Sequence, residues 1–141
     1  MKTELVEQLY AKFPKIFPKK LYIGIGDGWY GLIESACYQI QGEIDGRQET
    51  IKWTEEYNSK LVDLDDARTV PDEVEQLVAV QIKEKFGTLR FYASGINDFA
   101  RGVIYLAESM SGRMCEECGK PAKNAVVKGW CRTRCDEHQG L

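Results

Sequence analysis

Cys115-Glu116-Glu117-Cys118-Gly119 and Trp130-Cys131-Arg132-Thr133-Arg134-Cys135-Asp136-Glu137-His138 decide how this chain is read. Four of its five cysteines and its single histidine fall inside this short stretch. The pairs Cys115/Cys118 and Cys135/His138 each leave two residues between members, the spacing by which one turn presents two ligands to one ion. Zn²⁺ takes four soft or borderline ligands in a tetrahedron, and a Cys₃His set is a closed structural site. The expected ligands are Cys115, Cys118, Cys135 and His138, around a structural Zn²⁺.

Five candidates compete for these four positions. Cys131 lies in a predicted strand, four residues before Cys135. It fits a small buried hydrophobe better than a ligand, with replacement of Cys135 as the alternative. A catalytic zinc normally keeps three protein ligands and one open position, so a full set favours a structural role.

The local pattern predicts a treble-clef or ribbon-like module. Gly119 can take the positive φ that turns backbone amides toward thiolates. Asn124–Val127, Lys128-Gly129 and Trp130–Thr133 read as a small hairpin with a tight turn. Cys135 to His138 is expected to open a short terminal helix, with both side chains on one face.

Outward from this module, the 141 residues suit one domain of residues 1–112 with a zinc-binding module, 113–141, docked on it. A composition 43% hydrophobic and 29% charged is ordinary for a soluble globular chain. No apolar run is long enough to span a membrane, and charges occupy the N-terminus where a signal peptide would be apolar. An odd number of cysteines with metal spacing fits a reducing cytoplasm. Residues 1–112 carry 13 Lys and Arg against 18 Asp and Glu, while 113–141 carry 6 against 4. That balance is not the strongly basic footprint of a dedicated DNA binder.

The periodicity predicts helices over Thr3–Phe13, capped by Thr3, and over Trp29–Ile44, ended by Asp45-Gly46. Gly24-Ile25-Gly26-Asp27-Gly28 between them lacks a phosphate-loop signature and is expected to lead into the second helix with Asp27 as N-cap. The alternative is an anion or partner pocket floored by Trp29 and Tyr30. Cys37 falls on the buried stripe of that helix. Residues 47–76 carry no clear pattern beyond a helical turn near Thr54, the solvated carboxylates of Asp63–Asp66 and a turn at Pro71.

Leu77–Ala93 alternates as a hairpin turning at Phe86-Gly87-Thr88. Val80, Ile82, Leu89 and Phe91 are expected inside. Lys83, Lys85, Arg90 and Tyr92 are left on an outer face that could meet a partner or a nucleic acid. A third helix, capped by Ser94 or Asn97, is expected to bury Phe99, Val103, Leu106, Ala107 and Met110. The fold class is therefore α+β: about three helices on a small antiparallel sheet, with the zinc module at the C-terminus.

Lys83-Glu-Lys-Phe-Gly-Thr-Leu-Arg-Phe-Tyr92, Ser111-Gly112-Arg113, Cys115-x-x-Cys118 and Trp130-x-Arg132-Thr133-x-Cys135-Asp136-Glu137-His138 together resemble a group of small bacteriophage and bacterial proteins. The resemblance covers about residues 20–140. It implies Cys115, Cys118, Cys135 and His138 as the metal set and Cys131 outside it. It implies no activity, and a phage origin would suggest a role against a host component.

The expected function is a non-enzymatic, zinc-containing binding protein that regulates or inhibits a host protein. The alternative is a nucleic-acid binder in which Arg132 and Arg134, with Lys120, Lys123 and Lys128, join the sheet cations on phosphates. An enzyme is disfavoured because the sole histidine is already assigned to the metal.

Overall fold

The computed structural model describes residues 1–140; Leu141, last residue of the expected 113–141 module, lies outside the described residues. The order is α1 (Thr3–Lys12), β1 (Ile23–Gly24), α2 (Tyr30–Ser59), β2 (Val78–Lys85), β3 (Thr88–Ser94), α3 (Asp98–Ser111), β4 (Lys123–Val127) and β5 (Trp130–Arg134). The fold is α+β. Three helices share one core with the sheet β1-β2-β3, and β4–β5 forms a separate hairpin. Trp29, Ile33, Ile40, Leu77, Ile82 and Leu89 are fully buried at the centre. The sheet is mixed rather than purely antiparallel, because the two-residue β1 joins β2 in parallel.

Thr3 does not cap α1. It is already helical, and Lys2 takes the N-cap position without a side-chain bond. Ile16 and Phe17 tuck into the core after Pro14 as expected.

The second helix does not stop at Gly46; it runs 30 residues to Ser59. A helical glycine costs about 1 kcal/mol relative to alanine, and that cost is offset by a chain that returns alongside. Gln41 and Gln76 exchange amide hydrogen bonds, Arg47 donates to the Asp72 carbonyl, and Asn58 bonds both backbone groups of Arg68. From Gln41 to Asn58 a helix rises roughly 26 Å, and the eight steps from Arg68 to Gln76 can reach about the same distance. Trp53 stacks on Tyr57 at 5.5 Å, and the Arg68 guanidinium lies over both rings. Thr54, between Trp53 and Tyr57 in sequence, is buried. Residues 45–76 thus form an arm of helix and returning chain. Asp63 caps the 3-10 turn Leu64–Asp66 through the Asp65 N–H, and Pro71–Glu73 forms neither a helix nor a turn.

The β2–β3 turn has Phe86 and Gly87 both at positive φ, 53° and 78°, the two-residue geometry that matches strand twist. Ile82, Leu89 and Phe91 face inward, but Val80 does not; it is 61% exposed. The Ala79 N–H is held by the Ile16 carbonyl at 2.9 Å, and a β-bulge follows between Ala79 and Gln81. The bulge adds one residue, so Ala79 rather than Val80 takes the inward position.

α3 is capped by Asn97, whose side chain accepts the Ala100 N–H. Its buried stripe is Ala100, Ile104, Ala107 and Ser111, with Val103 half-buried; Phe99, Leu106 and Met110 lie outside. The reason is the free edge of β3. The Leu89 N–H donates to Ser111 Oγ at 2.8 Å and the Phe91 N–H to Glu108 Oε2 at 3.0 Å. Satisfying an edge strand matters more than hiding one stripe of side chains. That requirement turns the helix so that its small residues face the sheet.

Candidate metal centre

The ligand atoms of Cys115, Cys118, Cys135 and His138 all lie within 4.8 Å of one another. Cys115 Sγ stands 3.5 Å and Cys135 Sγ 3.2 Å from His138 Nδ1, and Cys118 Sγ is 3.7 Å from Cys135 Sγ. All five cysteines are free thiols. Such a group could hold a metal ion. Cys131 sits on β5 opposite Val126 and is outside the group. Cys37 is wholly buried on α2, and burial pushes its thiol up to about 12.

Each ligand pair is set by local backbone. Cys115–Gly119 closes a knuckle, with the Gly119 N–H on the Cys115 carbonyl at 2.8 Å and Gly119 at φ 77°. Burial raises the Cys115 thiol. The backbone N–H groups of Cys135, Cys118 and Glu117 and the Cys118 side chain outweigh it, holding the thiol near 6. These amides favour the thiolate form. For Cys118 the Lys120 N–H acts downward, but desolvation and the neighbouring thiols carry it up.

Cys135 and His138 sit on a turn, not on the expected terminal helix. The His138 N–H bonds the Cys135 carbonyl at 2.9 Å. The Arg134 carbonyl, which an α-helical turn would need for His138, instead accepts from Gln139 Nε2 at 3.2 Å. Two residues still separate the ligands, so convergence survives without the helix.

The centre is bound to the rest of the fold at two glycine turns that sequence reasoning did not connect with it. The Gly28 N–H donates to the Glu116 carbonyl at 2.7 Å, and the Gly26 N–H to the Glu116 carboxylate at 3.1 Å. A Cβ on Gly28 would stand 2.1 Å from the Cys115 carbonyl oxygen, and one on Gly26 2.4 Å from that of Glu116. Burial raises the Glu116 carboxyl, and the Gly26 N–H pulls it back. On the other side, Thr133 Oγ1 donates to the Gly87 carbonyl at 2.6 Å, and Asn124 Nδ2 to that of Phe86 at 3.0 Å. The closely spaced glycines were a signal for backbone contact; what they touch was not readable.

The Gly24–Gly28 loop leads into α2 through the 3-10 turn Asp27–Trp29 as expected but without a side-chain cap, and its Gly26 and Gly28 N–H groups go to Glu116. The Asp27 carboxylate accepts the Lys2 N–H at 2.7 Å rather than a helix N–H. Trp29 is fully buried and donates Nε1–H to the Met114 carbonyl at 2.8 Å.

The expected surface residues divide into two groups. Lys83 pairs with Arg90 and Gln81 with Tyr92, so Lys83, Lys85, Arg90 and Tyr92 share the outer face of the hairpin. Arg134, by contrast, is ion-paired with Glu117 at 3.0 Å, and Lys120 with Glu137 at 2.8 Å. Arg132 lies on β5 opposite Ala125, half-buried. No helix among the described residues is long and apolar enough to cross a membrane. No protein-family model, curated protein or solved structure matches this chain.

Proposed function

We propose that Cys115, Cys118, Cys135 and His138 hold a structural Zn²⁺, and that the protein is a non-enzymatic binding protein whose partner is another protein. Zinc–sulfur bonds near 2.3 Å and zinc–nitrogen bonds near 2.0 Å make tetrahedral edges of about 3.8 Å between sulfurs and about 3.5 Å from sulfur to nitrogen. The Cys118–Cys135 separation of 3.7 Å and the two sulfur–imidazole separations of 3.5 and 3.2 Å fit that figure. Four ligands from one chain complete a tetrahedron, which favours a structural over a catalytic ion. Atomic absorption on purified protein should give one zinc per chain, and a value near zero would reject the assignment.

The observation that favours a protein partner is the arm. Residues 45–76 hold ten Asp and Glu against four Lys and Arg, so the arm alone is more acidic than the whole chain at −3. Val62 and Leu64 stand exposed near its tip among these carboxylates. Acidic side chains around apolar ones suit a basic protein surface and repel a nucleic acid backbone. The resemblance to phage proteins would make that partner a host component, with regulation or inhibition as the result. Affinity capture from nuclease-treated lysate should retain a stoichiometric protein on the wild type and lose it on a Val62→Ser, Leu64→Ser variant. Equal capture by both would remove the arm from the reading.

A further inference from the structure

The outer face of β1-β2-β3 carries a second surface of opposite character. Ile23 is level with Ile82 and Gly24 with Lys83, so Tyr22 falls level with Gln81, whose cross-strand partner is Tyr92. One row across the sheet is therefore Tyr22, Gln81, Tyr92. The next is Gly24, Lys83, Arg90, and the one beyond carries Lys85 and Thr88. Tyr22 is 88% exposed. Its ring lies over Gly24, where a Cβ would come within 3.1 Å of Cε1. Two tyrosines thus stand about 10 Å apart, two strand spacings, on a surface with no side chain at Gly24. Phe86 at the hairpin tip is also 68% exposed.

The charge on this face is uncompensated. Among the described residues, Lys83, Lys85 and Arg90 have no carboxylate within 4.0 Å, whereas the metal module neutralises Lys120 and Arg134 internally. Arg90 Nη1 donates to Thr88 Oγ1 and the Leu89 carbonyl, which fixes the guanidinium against the strand. A second copy of this face would set the three cations against themselves across a two-fold axis, so charge disfavours a self-dimer. An anionic ligand with flat apolar groups meets every feature of the surface.

We infer that the outer face of the β1-β2-β3 sheet binds single-stranded nucleic acid, with bases stacked on Tyr22 and Tyr92 and phosphates on Lys83, Lys85 and Arg90. Stacking on tyrosine needs unpaired bases, and the cations supply backbone attraction without reading sequence. The face shares no residue with the acidic arm, so loss of one activity leaves the other open to measurement.

The test is fluorescence anisotropy of zinc-loaded protein with a labelled oligothymidylate of about 12 nucleotides at roughly 50 mM salt. Binding should weaken by about 5- to 100-fold in Tyr22→Ala and in Tyr92→Ala. Lys85→Ala and Arg90→Ala should each lower the log–log salt slope by about 1. Tyr38→Ala, at an exposed tyrosine on α2, should change nothing. Tyr22 is exposed enough that its removal leaves the core intact, which far-UV circular dichroism checks. No binding at low salt overturns the inference. So does equal competition by unlabelled duplex, an unchanged affinity in Tyr22→Ala, or a dimer that Tyr22→Ala dissociates.

Discussion

Gly28 and Glu116 are joined at 2.7 Å, backbone N–H to backbone carbonyl, across 88 residues of sequence. The contact brings the turn before α2 onto the metal knuckle so closely that Cys115, Cys118 and Gly119 backbone atoms all lie within 2.7 Å of where a Gly28 Cβ would be. Backbone on both sides leaves nothing flexible to give way. Gly28→Ala should therefore cost about 3 kcal/mol in denaturant unfolding of the zinc-loaded protein. It should also weaken zinc retention against a competing chelator. Gly31→Ala, where a Cβ meets no atom within 4 Å, is the matched control and should be neutral or slightly stabilising.

Removing the proposed zinc should disturb more than residues 115–138. Ion binding in small zinc modules is worth on the order of 10 kcal/mol, and this module holds the Trp29 indole through the Met114 carbonyl. Treatment with a strong chelator should lower the melting temperature and change the near-UV circular dichroism of Trp29. Identical spectra and melting with and without metal would rule out a structural centre.

The thiols should separate by environment. With zinc bound, a small thiol reagent at about pH 8 should label Cys131 alone, because Cys37 is fully buried with its thiol pushed up to about 12. Denaturant plus chelator should release all five cysteines. Rapid labelling of Cys37 in the native state would contradict its place in the core.

One ion pair predicts a pH dependence. Lys12 and Tyr30 donate to the Glu34 carboxylate at 2.6 and 2.8 Å, joining α1 to α2. The Lys12 bond and then the Tyr30 bond hold the Glu34 carboxyl below its ordinary 4.5. A depressed carboxyl contributes stability above its unfolded value and loses it as pH falls through the folded one. Lys12 is raised, chiefly by its bond to Glu34, so its share is lost only above 10.5 as pH climbs through the folded value. Glu34→Gln should therefore flatten the loss of melting temperature below pH 4.5 relative to wild type. Parallel acid limbs in the two proteins would show that the pair contributes nothing.

The bulge is testable by a pair of substitutions. Val80→Thr should change stability by less than about 0.5 kcal/mol, since Val80 faces solvent. Ile82→Ala, two residues on and 1% exposed, should cost about 2–5 kcal/mol. Equal costs would mean the strand is in the register that plain alternation predicts.

Two of the regions where sequence reading failed share a cause. Phe99, Leu106 and Met110 make a regular apolar stripe, but Ser111 and Glu108 are needed at the open edge of β3, and α3 rotates to deliver them. Gly46 reads as a helix stop, yet a returning segment more than 20 residues later supports the helix through it. Periodicity reports what a segment can bury; it does not report what a distant segment requires of it.

By itself the sequence determined the two tight hairpin turns, a cap at Ser94 or Asn97 and the grouping of Cys115, Cys118, Cys135 and His138. Each of these depends on residues close enough along the chain for φ, ψ and spacing to act directly. Only the tertiary structure decided that Gly26 and Gly28 lie on the metal knuckle, that Val80 faces outward, and that Tyr22 joins Tyr92 on one sheet face. Those outcomes depend on hydrogen bonds and close contacts between segments far apart in sequence, which no local preference encodes.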